Sequence, residues 1–341
     1  MTPRRMSRVI VITGGTAGVG RATARRFATA GDAVAVLARG PAGLAATVAD
    51  IEALGGRGLG IAVDVADAVQ VEAAADQIER ELGPIDVWIN NAMVTAVGPV
   101  EAIAPAEFQR ITDVCYHGFV WGTRAALLRM RRRNRGTILQ VGSALAYRSI
   151  PLQAAYCGAK HAIAGFTDSL RSELLHDGVP IALCMVQLPA VNTPQFDWCV
   201  NRMDRALQPV PPIFQPEIIA EAIHHLSRHP RREVFLGWPA IKAIVGNKLV
   251  PGLADRVLAS QGYRGQLTDE PNPHAAANLF APVPGDHGAH GRFDAQARSR
   301  DPIARVATVL GGAGVQAAVV AGVAVLGAAA FGALRWAVRR R

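Results

Sequence analysis

Between residues 8 and 237 the chain alternates short apolar runs with longer amphipathic stretches. The apolar runs are Arg8 to Thr13, Ala33 to Ala38, Gly60 to Val63, Ile85 to Ile89, Thr137 to Val141, Ile181 to Gln187 and Glu233 to Leu236. Most carry no polar residue inside them, as strands buried on both faces do. The stretches between them fit helices at Arg21 to Ala30, Leu44 to Leu54, Asp67 to Leu82, Pro105 to Arg133, Gln153 to His176 and Pro216 to Arg228. Strand–helix alternation of this kind predicts an α/β fold, a doubly wound parallel sheet of about seven strands. Residues 1–238 then form one domain.

The rhythm breaks after residue 238. Ile241 to Leu258 predicts a helix interrupted at Pro251, and Gln261 to Arg300 is rich in Pro, Gly, His and Asp. Residues 239–305 therefore read as a helical extension followed by a long tether. Val306 to Leu334 then runs 29 residues without a charge, flanked by Arg305 and by Arg335 and Arg339 to Arg341. A helix of that length exceeds the roughly 30 Å of bilayer hydrocarbon. Gly314, Ala318 and Gly322 repeat at four-residue spacing, a face that allows close helix packing. A C-terminal apolar, membrane-spanning helix over residues 306–334 is the expectation, with the catalytic domain on the cytoplasmic side. Arginines on both flanks leave its orientation open.

Composition adds limits. The 341 residues can bury a large core, and the net charge is +9, mostly arginine. The cluster Arg129, Arg131, Arg132, Arg133 and Arg135 ends a predicted helix, where cations suit the dipole. No nucleic-acid module or aromatic–basic interleaving accompanies it, so no nucleic-acid partner is expected. Cys115, Cys157, Cys184 and Cys199 have no C-x-x-C spacing, and no secretory signal opens the chain; reduced thiols in the cytoplasm follow. His224, His225 and His229 share a helix but lack a completing ligand, so surface histidines are expected rather than a metal site.

The first strand runs into Gly14-Gly15-Thr16-Ala17-Gly18-Val19-Gly20 and then a helix. Glycines there let the backbone approach a pyrophosphate, and the helix N-terminus offers free N–H groups to it. At the end of the second strand, where a carboxylate would bind the ribose of NAD, stands Arg39, which can pair with a 2′-phosphate. NADP(H) is expected over NAD(H). Asp64 and Val65 end the third strand, and Asn90-Asn91-Ala92 ends the fourth, all at the sheet edge where ligands bind.

Tyr156 and Lys160 lie four apart on a predicted helix and share a face. A free phenol has a pKa of about 10, and a nearby ammonium lowers it. Lys160 is expected to tune Tyr156, while Ser143 follows the fifth strand with its hydroxyl free for a substrate oxygen. Tyr156 can then donate a proton as hydride reaches a carbonyl carbon.

With these residues in place, the chain resembles the short-chain dehydrogenases/reductases over residues 7 to 237. The resemblance rests on the glycine turn, Asp64, Asn90-Asn91-Ala92, Ser143, Tyr156, Lys160 and Thr193. It implies a Rossmann-type domain, NAD(P)(H), an alcohol or carbonyl substrate and a homodimer or homotetramer. On it, Ser143, Tyr156 and Lys160 are the catalytic set. Gly14, Thr16, Gly18, Val19, Gly20, Arg39, Asp64, Val65, Asn91, Ala92, Tyr156, Lys160 and Thr193 hold the cofactor. Three positions depart from the family pattern. Met93 follows Asn-Asn-Ala in place of Gly, Cys115 stands at the usual catalytic Asn, and Leu188-Pro189 replaces Pro-Gly. The Asn supports a water-linked relay to the lysine, so Cys115 weakens it or requires it to be rebuilt. The leading expectation is an NADP(H)-dependent oxidoreductase on a lipophilic alcohol or ketone at a membrane. The alternative is a catalytically weakened cofactor-sensing or scaffold protein there.

Overall fold

A computed structural model describes residues 7–249, 251–302, 308–311, 314 and 317. Its strands are β1 (Val9–Thr13), β2 (Ala33–Ala38), β3 (Arg57–Ala62), β4 (Ile85–Asn90), β5 (Ala96–Val97), β6 (Gly136–Val141), β7 (Ile181–Gln187), β8 (Val200–Asn201), β9 (Arg205–Leu207), β10 (Glu233–Phe235) and β11 (Leu267–Pro271). Its helices are α1 (Gly18–Thr29), α2 (Pro41–Ala53), α3 (Ala68–Glu81), α4 (Pro105–Thr112), α5 (Gly118–Arg133), α6 (Ala154–His176), α7 (Gln195–Trp198), α8 (Pro216–Leu226), α9 (Trp238–Leu249) and α10 (Pro251–Arg264). Seven strands form one sheet in the order β10-β7-β6-β4-β1-β2-β3. Every pairing in it is parallel. The order reverses between β1 and β4, and the crevice at that switch point is where open sheets bind ligands. One core packs Trp88, Ile78 and Ile138 on one face; the other packs Ile10, Phe27 and Leu139 on the opposite face.

The expected helix over Pro105 to Arg133 is interrupted. A π-helical turn, Asp113–His117, separates α4 from α5. Such turns take in one extra residue and widen the helix locally. The apolar period runs on through the turn, so the pattern did not betray it. Cys115 sits in it, fully buried, and its thiol donates to the Val94 carbonyl at 3.1 Å while accepting from Val94 N at 3.4 Å.

His224 also departs from expectation. It is buried between α8 and α1, edge-on to Phe27 with ring centroids 5.1 Å apart, and is no surface histidine. Burial pushes its pKa down to about 4, so it packs as a neutral ring. Among the described residues, no cluster of potential metal ligands occurs.

The segment expected to be a tether is instead a strap fixed to the catalytic domain. β11 pairs antiparallel with β9. Asn272 donates through Nδ2 to the Met203 carbonyl at 2.9 Å, and Arg298 N donates to the Ile213 carbonyl at 2.9 Å. Asn192 donates to the Asp294 carboxylate at 2.8 Å. Its turn-forming composition was legible, but its partners lie far away in the chain, by as much as 265 residues, and left no local signal. Most of the predicted membrane helix, 306–334, lies outside the described residues. Among those described, no helix is long and apolar enough to cross a membrane.

Candidate active site

The glycine turn needs its glycines. Gly14 and Gly18 hold φ of 64° and 55°. A Cβ on Gly14 would stand 2.7 Å from Ala92 Cα, and one on Gly18 2.9 Å from Thr193 Cγ2. Left-handed backbone and missing side chains thus bring the ends of β1, β4 and β7 together. Asn91 ties them further, donating through Nδ2 to the carbonyls of Thr13 and Gly14 at 3.1 and 3.0 Å.

A cavity of about 850 Å³ opens at this edge. Gly14, Thr16, Gly18 and Val19 line its floor at the start of α1; Arg39, Asp64 and Val65 line one end. Asn91, Ala92 and Thr193 line the middle, and Ser143, Tyr156 and Lys160 the other wall. Gly20 lies just behind, where a Cβ would stand 2.2 Å from the Gly14 carbonyl oxygen. Size and chemistry suit a dinucleotide together with a small substrate.

At the Arg39 end the charges are already engaged. Arg110 donates to the Asp64 carboxylate at 2.6 Å and to the Leu279 carbonyl at 3.1 Å. Arg39 donates to the strap carbonyls of Leu279 and Phe280 at 3.2 and 2.9 Å, and to that of Asn278. Burial, then the Arg110 charge, lowers the Arg39 pKa. Sequence reasoning missed Arg110 and the strap. Arg110 carried no signal beyond its type, since α4 approaches β3 only in the folded chain.

The strap also reaches the glycine turn. Gly18 N donates to the Gly288 carbonyl at 3.1 Å, and Arg21 pairs with Asp286 at 3.0 Å. His287 Nε2 and Asn278 Oδ1 are buried without a hydrogen-bond partner, and both residues line the cavity. Buried polar atoms left unpaired are costly, and a polar ligand would relieve the cost.

On the opposite wall, Tyr156 is half-buried and accepts a hydrogen bond from Ser143. Ser143 Oγ also accepts from Leu145 N at 3.1 Å. Lys160 is buried; its Nζ donates to the Val141 carbonyl at 2.9 Å and lies 4.6 Å from the Phe119 ring centroid and 5.5 Å from that of Tyr156. Burial pushes the Lys160 pKa down to about 8. Burial also pushes the Tyr156 phenol upward, with the neighbouring Cys115 and Cys157 adding to it and Ser143 opposing. The expected lowering by Lys160 does not appear: desolvation of the phenolate dominates, and the hydrogen bond from Ser143 is what opposes it.

Comparison with known proteins identifies the family. The short chain dehydrogenase family model matches residues 8–199. An uncharacterized oxidoreductase of Bacillus subtilis, YxnA, is 31% identical over 277 residues, covering 80% of this chain and 77% of that protein. A short-chain dehydrogenase structure from Streptomyces avermitilis superposes with a TM-score of 0.63 at 24% identity, over 76% of this chain and 98% of that one. An alcohol dehydrogenase from Thermococcus sibiricus, solved with 5-hydroxy-NADP, gives 0.59 at 24% identity, over 68% and 96%. These structures share the fold. With the family model spanning more than half of its length, the chain belongs to the short-chain dehydrogenase family and is an oxidoreductase acting on alcohol or carbonyl groups.

Proposed function

We propose that this oxidoreductase uses NADP(H) to interconvert an alcohol and a carbonyl, with Tyr156 as general acid/base. The observation that carries the reading is one cavity with the glycine turn on its floor and Ser143, Tyr156 and Lys160 on its wall. The nicotinamide supplies the hydride when bound. The chain's own residues do the rest. The glycines at 14 and 18 leave a cradle at the start of α1 that a phosphate can approach, where it would take over the Gly18 N–H that donates to the Gly288 carbonyl. Arg39, with no carboxylate at the end of β2, favours a 2′-phosphate, which would draw its guanidinium from the strap carbonyls that hold it. Ser143 and Tyr156 present hydroxyls to the substrate oxygen. A phenol held protonated by burial suits the reduction direction, donating its proton as the oxygen becomes an alkoxide. Lys160 places positive charge behind it, stabilising the phenolate that donation leaves.

Cys115 does not dismantle this arrangement. Its thiol holds both polar groups of Val94, so the widened turn beside the lysine persists. The test is a panel of carbonyls and alcohols with NADPH and NADH. NADPH should be consumed in preference, and Tyr156→Phe should cut turnover about 10²- to 10⁴-fold while NADPH still binds. Binding without consumption by any compound would instead favour a cofactor sensor. Assembly as a homodimer or homotetramer and attachment to a membrane through residues 306–334, with the catalytic domain cytoplasmic, complete the reading.

A further inference from the structure

The cavity continues past Ser143 and Tyr156, between α9 and α10. Both helices are fastened to the segments carrying the catalytic hydroxyls. Asn247 on α9 donates to the Tyr147 carbonyl at 2.7 Å. Arg148 donates to Asn247 Oδ1 at 3.0 Å and to Asp255 on α10 at 2.7 Å. Gln266, just after α10, donates to the Pro151 carbonyl at 3.0 Å and accepts from Gln153 at 2.8 Å. The wall these helices form is thus fixed relative to Tyr156.

That wall is shaped. Ala240, Ala243 and Gly246 line the cavity at three-residue spacing along one face of α9. Small side chains in such a row leave a trough along the helix, about 9 Å long from 240 to 246 at 1.5 Å per residue. A Cβ on Gly246 would meet no atom within 4 Å. Leu253 and Val257 on α10 and Val210 opposite form the outer rim, and they remain 60%, 40% and 39% exposed. Apolar side chains gathered at a cavity mouth mark a binding surface. The charged liners at this end are Arg148, engaged by Asn247 and Asp255, and Lys242, exposed at the mouth.

We propose that the substrate carries an unbranched aliphatic chain, which lies in the α9–α10 trough while its alcohol or carbonyl carbon meets Tyr156. A trough one helix face wide suits an extended chain better than a fused ring system, and its small-residue floor offers contact without polar partners. The identification of the reacting end rests on the oxidoreductase reading above.

The test is a homologous series of n-alkanals from four to twelve carbons, assayed with NADPH on the full chain and on Gly246→Leu. In the wild type, kcat/KM should rise about three- to fourfold per methylene until the trough is filled. The leucine projects into open space, so the helix keeps its place, and the long-to-short ratio of kcat/KM should fall at least tenfold. A flat profile in the wild type, or an unchanged ratio in the variant, would overturn the proposal. A second readout does not need turnover: dodecan-1-ol should displace cis-parinaric acid from the wild type, and the variant should bind the probe poorly. Loss of turnover with all compounds while displacement persists would sink the oxidoreductase reading and leave the trough standing. Parinaric acid binding equally to both proteins would sink the trough alone.

Discussion

At the scale of single residues, the site turns on how burial changes two titrating groups. Lys160 is 2% exposed and its pKa is pushed from 10.5 down to about 8. Between those values the unfolded chain binds a proton that the folded chain does not. Stability contributed by this site therefore rises with pH across that window, and the cost of burying the charge is fully present below pH 8. A Lys160→Met variant carries no such cost. Urea unfolding of both proteins at pH 7.5 and 9.5 should show wild type gaining on the variant by about 2 kcal/mol. A gap that stays constant would mean the ammonium is not held in a poor environment. For Tyr156 the expectation is kinetic: Tyr156→Phe should cost about 10²- to 10⁴-fold in kcat, the usual weight of a positioned proton donor, with NADPH fluorescence titration little changed. That Ser143, Tyr156 and Lys160 meet on one wall of the cavity was legible from their spacing, a turn after one strand and a four-residue step on one helix face. The direction of the phenol's shift was not, because it depends on how much protein closes around it.

At the scale of elements, the sheet was readable and the strap was not. Strands buried on both faces announce themselves as apolar runs, which is why β1, β2 and β7 fall within a residue of expectation. The break between α4 and α5 hides because an extra residue in one turn leaves the apolar face nearly continuous. The strap hides because its hydrogen bonds are long-range. Gly291 shows how closely it sits: a Cβ there would stand 2.5 Å from the Thr193 carbonyl oxygen, a main-chain atom with little freedom to yield. Gly291→Val should lift this part of the strap from Thr193 and loosen Gly288 from Gly18. The expected outcome is faster proteolytic cutting within residues 272–298 and several-fold weaker NADPH binding, followed by limited digestion and fluorescence titration. Unchanged digestion would mean that the strap's other contacts, Asn192 to Asp294 among them, hold it without this approach.

At the scale of the whole molecule, charge and apolarity separate along the chain. Four of the five arginines around the end of α5 are folded into ion pairs: Arg129 with Glu72 and Asp76, Arg131 with Asp177, Arg133 with Glu79 and Arg135 with Asp86. Their bonds are internal ones rather than a row of free cations. The uncharged 29 residues from Val306 to Leu334 sit apart from this, bordered by Arg305 and Arg335. Gly311 holds φ of 73° and breaks a helix there; residues 312–334 after it would reach about 34 Å as one helix, still more than the roughly 30 Å hydrocarbon of a bilayer. An apolar-rimmed cavity and an apolar C-terminal run agree if the enzyme meets its substrate at a lipid surface, because an aliphatic chain partitions there and its local concentration rises. Full-length protein should then sediment with membranes and resist an alkaline wash, and a chain ending at residue 301 should remain in the supernatant while keeping its preference for long alkanals. A full-length chain that washes free would detach the enzyme from the membrane without touching the chemistry of its cavity, since the residues that shape the trough all precede Pro302.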